Sequence, residues 1–136
     1  MKRSKPLRRK TPMRRKRAKP RRGRDRDPEY MAKVRRLPCI VRVVQEMSDD
    51  ERERLPFRFT KVTLCSGRMQ ADHMGERGYG TKSHDRETGP ACKSHHGERT
   101  DGCGVRGCFK GWSKSEMRTF CDWAITRTQH EVKEMG

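Results

Sequence analysis

Met69-Gln70-Ala71-Asp72-His73-Met74, followed downstream by Cys92-Lys93-Ser94-His95-His96, decides the reading of this chain. An adjacent Asp-His pair and a Cys-x-x-His-His bring metal ligands and a general base together within residues 69–96. In a small basic protein that set points to metal-assisted hydrolysis of nucleic acid. The bland alternative is a zinc-binding module in which the same residues only hold the fold together.

Working outward, Phe57 to Leu64 carries β-formers with partial alternation, and Gln70 to Met74 is a second extended segment. Cys65-Ser66-Gly67-Arg68 between them supplies turn chemistry, which predicts a β-hairpin with Asp72 and His73 on its second strand. Residues 75–90 hold Gly75, Gly78, Gly80, Gly89 and Pro90 and read as a loop. A short helix is expected from Pro90-Ala91-Cys92 through about Arg99. Asp101 to Gly111 is glycine-rich and carries Cys103 and Cys108. Ser113-Lys114-Ser115-Glu116 is a capping box, preceded by Trp112, which reads as a core anchor. Met117, Phe120, Cys121, Ala124, Ile125, Thr128, Val132 and Met135 then recur at helical spacing, so a packed helix is expected over residues 114–134. Upstream, Asp27-Pro28-Glu29 opens a short helix to about Arg36, stopped by Leu37-Pro38-Cys39. Residues 45–56 are charge-mixed and read as an exposed helix or loop insertion.

The chain has 136 residues, of which 29% are apolar and 39% charged. That suffices for one domain with a small core, which usually needs a staple. Six Cys and five His can supply it. No apolar stretch follows the basic N-terminus and no run approaches a membrane span, so a cytoplasmic location is expected. There thiols stay reduced, and clustered Cys and His read as zinc ligands before disulfides.

The net charge of +17 is unevenly spread. Residues 1–36 carry 18 Lys+Arg against 3 Asp+Glu, and residues 37–136 carry 17 against 15. The excess is a tail, in which Pro6-Leu7-Arg8-Arg9-Lys10 recurs as Pro12-Met13-Arg14-Arg15-Lys16, followed by Arg17. Repelling charges and prolines predict disorder over residues 1–27 until a polyanion neutralises them. Nucleic acid is the expected partner, through phosphate contacts from Arg8, Arg9, Lys10, Arg14, Arg15, Lys16 and Arg17, with Lys82 as a loop cation. A membrane is not expected, because the tail has no amphipathic apolar face.

Phosphodiester hydrolysis needs a base for water, a cation to offset growing charge, and ligands that leave coordination positions open. Asp72 offers a hard oxygen. His73, beside it on a strand, points to the opposite face or along the groove. Asp72 is therefore expected to bind the ion and His73 to take the proton, with His96 at the helix start as the second ligand.

A hairpin bearing Asp-His, a glycine-rich loop and a helix opening with Cys-x-x-His-His resembles the HNH, or ββα-metal, endonucleases. Leu37-Pro38-Cys39, Asp72-His73, Gly78-Tyr79-Gly80-Thr81-Lys82, Asp85, Cys92-Lys93-Ser94-His95-His96 and Gly111-Trp112-Ser113-Lys114 narrow the likeness. Together they are similar to small phage-type HNH proteins, including the recombination-enhancement nucleases, over roughly residues 37–127. The resemblance implies a small α+β fold: a ββα-metal core with a structural zinc, a C-terminal helix and a disordered basic N-terminal arm. Residues 1–36 would be the arm and residues 37–136 the nuclease domain. It implies His73 as general base and Asp72 and His96 as ligands of a catalytic Mg²⁺ or Mn²⁺; the middle position, where the family usually has Asn, falls near Asp85 or Glu87, with Asp85 preferred.

It further implies a structural zinc on Cys39, Cys65, Cys92 and His95. Cys103 and Cys108 with Cys92 and His95 form the alternative set, and His96 in place of His95 also stays open. The function implied is a metal-dependent endonuclease acting on DNA in a bacterial host cell. It would be phage or prophage encoded, with a role in recombination or processing beside a recombinase filament or another phage DNA-processing protein. The alternative is a zinc-stabilised DNA- or RNA-binding protein without catalysis.

Overall fold

The computed structural model describes residues 26–75, 83–100 and 104–136. The arm cations Arg8 to Arg17, Lys82 and Cys103 lie outside the described residues. Those described form a small α+β unit: five α-helices and one two-stranded antiparallel sheet.

Helix α1 (Pro28–Val34) starts where Asp27 accepts the Tyr30 N–H at 3.0 Å and Pro28 fixes the first helical φ. It packs on the sheet and on the C-terminal helix, with Val34 fully buried. The charge pattern groups these residues with the arm; their packing puts them in the folded unit. Helix α2 (Ile40–Gln45) is a run of β-branched residues with weak helix propensity. Burial of Ile40, Val41 and Val44 holds it in place. Helix α3 (Asp49–Glu53) is capped reciprocally by Ser48 and Glu51 and buries nothing, as expected for an exposed insertion.

The hairpin differs from the expected one. Strand β1 (Met69–His73) pairs with β2 (Thr88–Cys92), with Asp72 opposite Gly89 and His73 opposite Thr88. Asp72 and His73 thus lie on the first strand, not the second. Residues 88–92 are strand, not loop and helix start, although Gly89 and Pro90 are poor strand formers. With two strands, each has an unpaired edge, and Pro90 can sit there without costing a ladder bond. All five β2 residues are buried, in part against the C-terminal helix, so tertiary packing overrides propensity.

Residues 57–64 are not a strand. Their aromatics serve as core anchors instead: Phe57 meets Phe120 edge-on at 5.1 Å, and Phe59 stacks on Trp112 at 5.5 Å. Such pairs add about 0.5–1.5 kcal/mol each beyond their buried area. Trp112 donates to the Arg58 carbonyl at 3.1 Å, which satisfies its indole N–H in this core.

Strand β2 runs straight into α4 (Lys93–Thr100). The first free N–H groups of that helix find partners outside it: Lys93 donates to Arg68 O at 2.9 Å and Ser94 to Ser66 O at 3.1 Å. Gly67 makes this contact possible. Its φ is +84°, and a Cβ there would stand 2.7 Å from Lys93 Cβ. After a 3₁₀ turn (Gly107–Phe109), α5 (Lys114–Glu134) begins at the Ser113/Glu116 capping box, at the bounds expected. Met117, Phe120, Cys121, Ala124, Thr128 and Val132 form its buried face; Met135 caps the helix and is exposed. Among the described residues, no helix is long and apolar enough to cross a membrane.

Candidate metal centre and hydrolytic site

Cys39 precedes α2, Cys65 stands in the turn before β1, Cys92 ends β2 and His95 lies in the first turn of α4. The fold brings all four together, with ligand atoms within 4.8 Å of one another. His95 Nδ1 is 3.4 Å from Cys39 Sγ, 3.6 Å from Cys65 Sγ and 3.1 Å from Cys92 Sγ. Sulfur and nitrogen ligands on one tetrahedral zinc stand about 3.5 Å apart. The Cys92 N–H points at Cys39 Sγ and the His95 N–H at Cys92 Sγ, both at 3.4 Å. Burial, then the neighbouring Cys39 and Cys92, push the Cys65 thiol up to about 12. A bound cation lets such sulfurs coexist as thiolates. This Cys₃His group could hold a structural metal ion such as zinc.

The other side of His95 is also held. Nε2 lies 3.1 Å from the Thr63 carbonyl, to which it can donate only if it carries the proton, and Nδ1 is then the lone pair facing the sulfurs. Thr63 Oγ1, 2.9 Å from Nε2, donates to Glu98 Oε2 at 3.0 Å, and that oxygen accepts the Cys108 N–H at 3.3 Å. His95, Glu98 and Cys108 are a second close group, but the Thr63 hydroxyl joins its first two members and makes it a backing for the ligand. In the alternative zinc set, Cys108 thus faces Glu98, its Sγ 3.5 Å from Oε2.

His96 turns away from the sulfurs. Its Nδ1 lies 2.6 Å from Gln70 Oε1, and its Nε2 lies 3.2 Å from Asp72 Oδ1. If Nδ1–H donates to Gln70, the Nε2 lone pair confronts a carboxylate oxygen. Two acceptors at that distance call for a positive charge between them, a proton or a metal ion. Asp72 is 1% exposed and also meets Arg99: Nε donates to Oδ2 and Nη2 to Oδ1, both at 2.5 Å. Burial works against the Arg99 charge, but Asp72 more than restores it and holds the guanidinium pKa above its ordinary value.

His73, on the opposite face of β1, places Nε2 2.9 Å from Asp85 Oδ1. Asp85 Oδ2 accepts the Asp27 N–H at 2.8 Å, and Arg86 reaches the Asp27 carboxylate at 3.3 Å. Burial raises the Asp85 pKa, but the bonds from His73 and the Asp27 amide outweigh it, and the net shift is downward. With Nε2–H donated to Asp85, Nδ1 is left as the ring's acceptor, the arrangement a general base needs.

Two pairs foreseen from sequence thus meet: Asp72 with His96, and His73 with Asp85. Sequence reasoning missed Gln70, Arg99, Thr63, Glu98 and Asp27. Gln70 was recoverable, since it shares a strand face with Asp72 at spacing two. Arg99, three residues after His96 on a helix, was recoverable by the same logic. Thr63 and Asp27 carry no such local signal. Comparison with known protein families, curated proteins and solved structures finds no match to this chain.

Proposed function

We propose that the chain is a metal-dependent endonuclease of the HNH (ββα-metal) type that hydrolyses DNA phosphodiester bonds. The observation that carries this reading is the arrangement around β1: Asp72 Oδ1 lies 3.2 Å from His96 Nε2, and the His73–Asp85 pair stands on the strand's other face. His73 Nδ1 takes a proton from water, while Asp85 holds the ring through Nε2. Asp72 and His96 would hold the ion. A divalent cation there would supply the positive charge that offsets what grows on the phosphate and leaving oxygen. The arm cations bind DNA phosphates without regard to sequence, so affinity falls steeply with salt. A place in phage or prophage recombination rests on the resemblance alone.

The second reading, a zinc-stabilised DNA- or RNA-binding protein, is favoured by one observation: Arg99 already engages both Asp72 oxygens, as an internal strut would. Supercoiled plasmid incubated with Mg²⁺ or Mn²⁺ separates the two. Wild type nicks it and His73→Ala does not. Absence of nicking by wild type, or equal nicking by both, leaves the binding module standing.

A further inference from the structure

We propose that Arg99 determines which cation the Asp72–His96 site accepts, by confining Asp72 to ligation through a single oxygen. The inference rests on reading Asp72 and His96 as a cation site. To chelate a cation, a carboxylate must turn both oxygens toward it. Here the Arg99 fork donates a hydrogen bond to each, Nε to Oδ2 and Nη2 to Oδ1. The fork is not free to swing aside. Arg99 is 9% exposed, Nη2 also donates to the His73 carbonyl at 3.0 Å, and Nη1 points at Cys121 Sγ on α5 at 3.8 Å. Three residues on two elements, β1 and α5, thus hold one guanidinium.

What remains is the second lone pair of Oδ1, an oxygen 3.2 Å from His96 Nε2. Neighbouring ligands of an octahedral ion at about 2.1 Å stand about 3.0 Å apart, so this pair fits one edge of such a shell. Gln70 holds the other side of the imidazole at 2.6 Å, which fixes the direction of Nε2. One carboxylate oxygen and one imidazole nitrogen suit a small ion or one that tolerates nitrogen. They suit Ca²⁺ poorly, because it gathers six to eight oxygens and often takes both from a carboxylate. Arg99 is therefore a positioning residue whose effect appears in ion preference.

The test uses the full zinc-loaded chain and reads free Mn²⁺ by electron paramagnetic resonance while Ca²⁺ is added. Wild type is expected to bind Mn²⁺ and to keep it against a modest Ca²⁺ excess, whereas Asp72→Asn should not bind Mn²⁺. Arg99→Gln frees the carboxylate and should raise the Ca²⁺-to-Mn²⁺ affinity ratio by about 10–100-fold, the usual reach of a residue behind a metal ligand. Arg99→Lys keeps the charge but loses the fork, and should fall between them; it carries the test if Arg99→Gln does not retain zinc. Displacement of Mn²⁺ from wild type by equimolar Ca²⁺ overturns the proposal whatever the variants do. So does an unchanged ratio in a folded variant. Both outcomes leave the nuclease reading intact. No Mn²⁺ binding by wild type, or equal binding by Asp72→Asn, removes the cation site itself.

Discussion

His95 is 1% exposed and faces three sulfurs; His96, the next residue on α4, has 31% of its side chain exposed and faces one buried carboxylate. A helix turns about 100° per residue, so neighbours on it address different surroundings. The sulfur group draws its ligands from three separate stretches of chain and has four donors. Among the described residues, the carboxylate group has two donors on neighbouring elements, and one of them is shared with an arginine. A closed tetrahedral set is built to hold a fold, and a site short of ligands is built to exchange them. The first turn of α4 contributes one histidine to each group.

Removing the metal from the closed group should have the largest effect. Zinc contributes on the order of 10 kcal/mol to small domains that depend on it. Chelation is expected to abolish the cooperative thermal transition seen by circular dichroism, as is Cys39→Ser. A chelated protein that melts as before would make the four ligands incidental. Next comes Asp72→Ala, which strands a buried guanidinium. Breaking one partner of a buried pair costs about 3–5 kcal/mol. Urea titration should show that loss while bound zinc stays at one per chain. A cost below about 1 kcal/mol would mean that the pair is an ordinary surface contact.

The smallest expected effect belongs to Asp85. Its folded pKa lies below the ordinary 3.8. Its stabilising contribution is therefore present above that value and is lost as pH falls through the lowered one. Stability measured from about pH 5 downward should fall less steeply in Asp85→Asn than in wild type. Identical slopes would show that the His73–Asp85 contact adds nothing to the fold.

Legibility in the sequence followed how local each signal was. The Ser113/Glu116 capping box and the stripe after it define α5, because every cue lies within one helix. The Cys and His types were enough to expect a zinc group, but two sets remained open; choosing between them needs the path of residues 40–64, which brings Cys39 and Cys65 together. The hairpin was misread where propensity and packing disagree. Thr88-Gly89-Pro90-Ala91-Cys92 has few strand formers, yet it is fully buried and paired. Phe57 and Phe59 look like strand residues and serve as aromatic anchors. Of the candidate site, the Asp72, His73 and His96 positions were legible from motif spacing. The residues that hold them were not, because Arg99 and Asp27 read as ordinary charges until burial and distance give them partners.

The division of labour between the two histidines is tested most directly by one protein, His96→Ala, assayed for bound zinc and for Mn²⁺-dependent plasmid nicking. We expect one zinc per chain, as in wild type, and no nicking. Loss of zinc, or nicking at the wild-type rate, would contradict the assignment of His95 to the closed site and His96 to the open one.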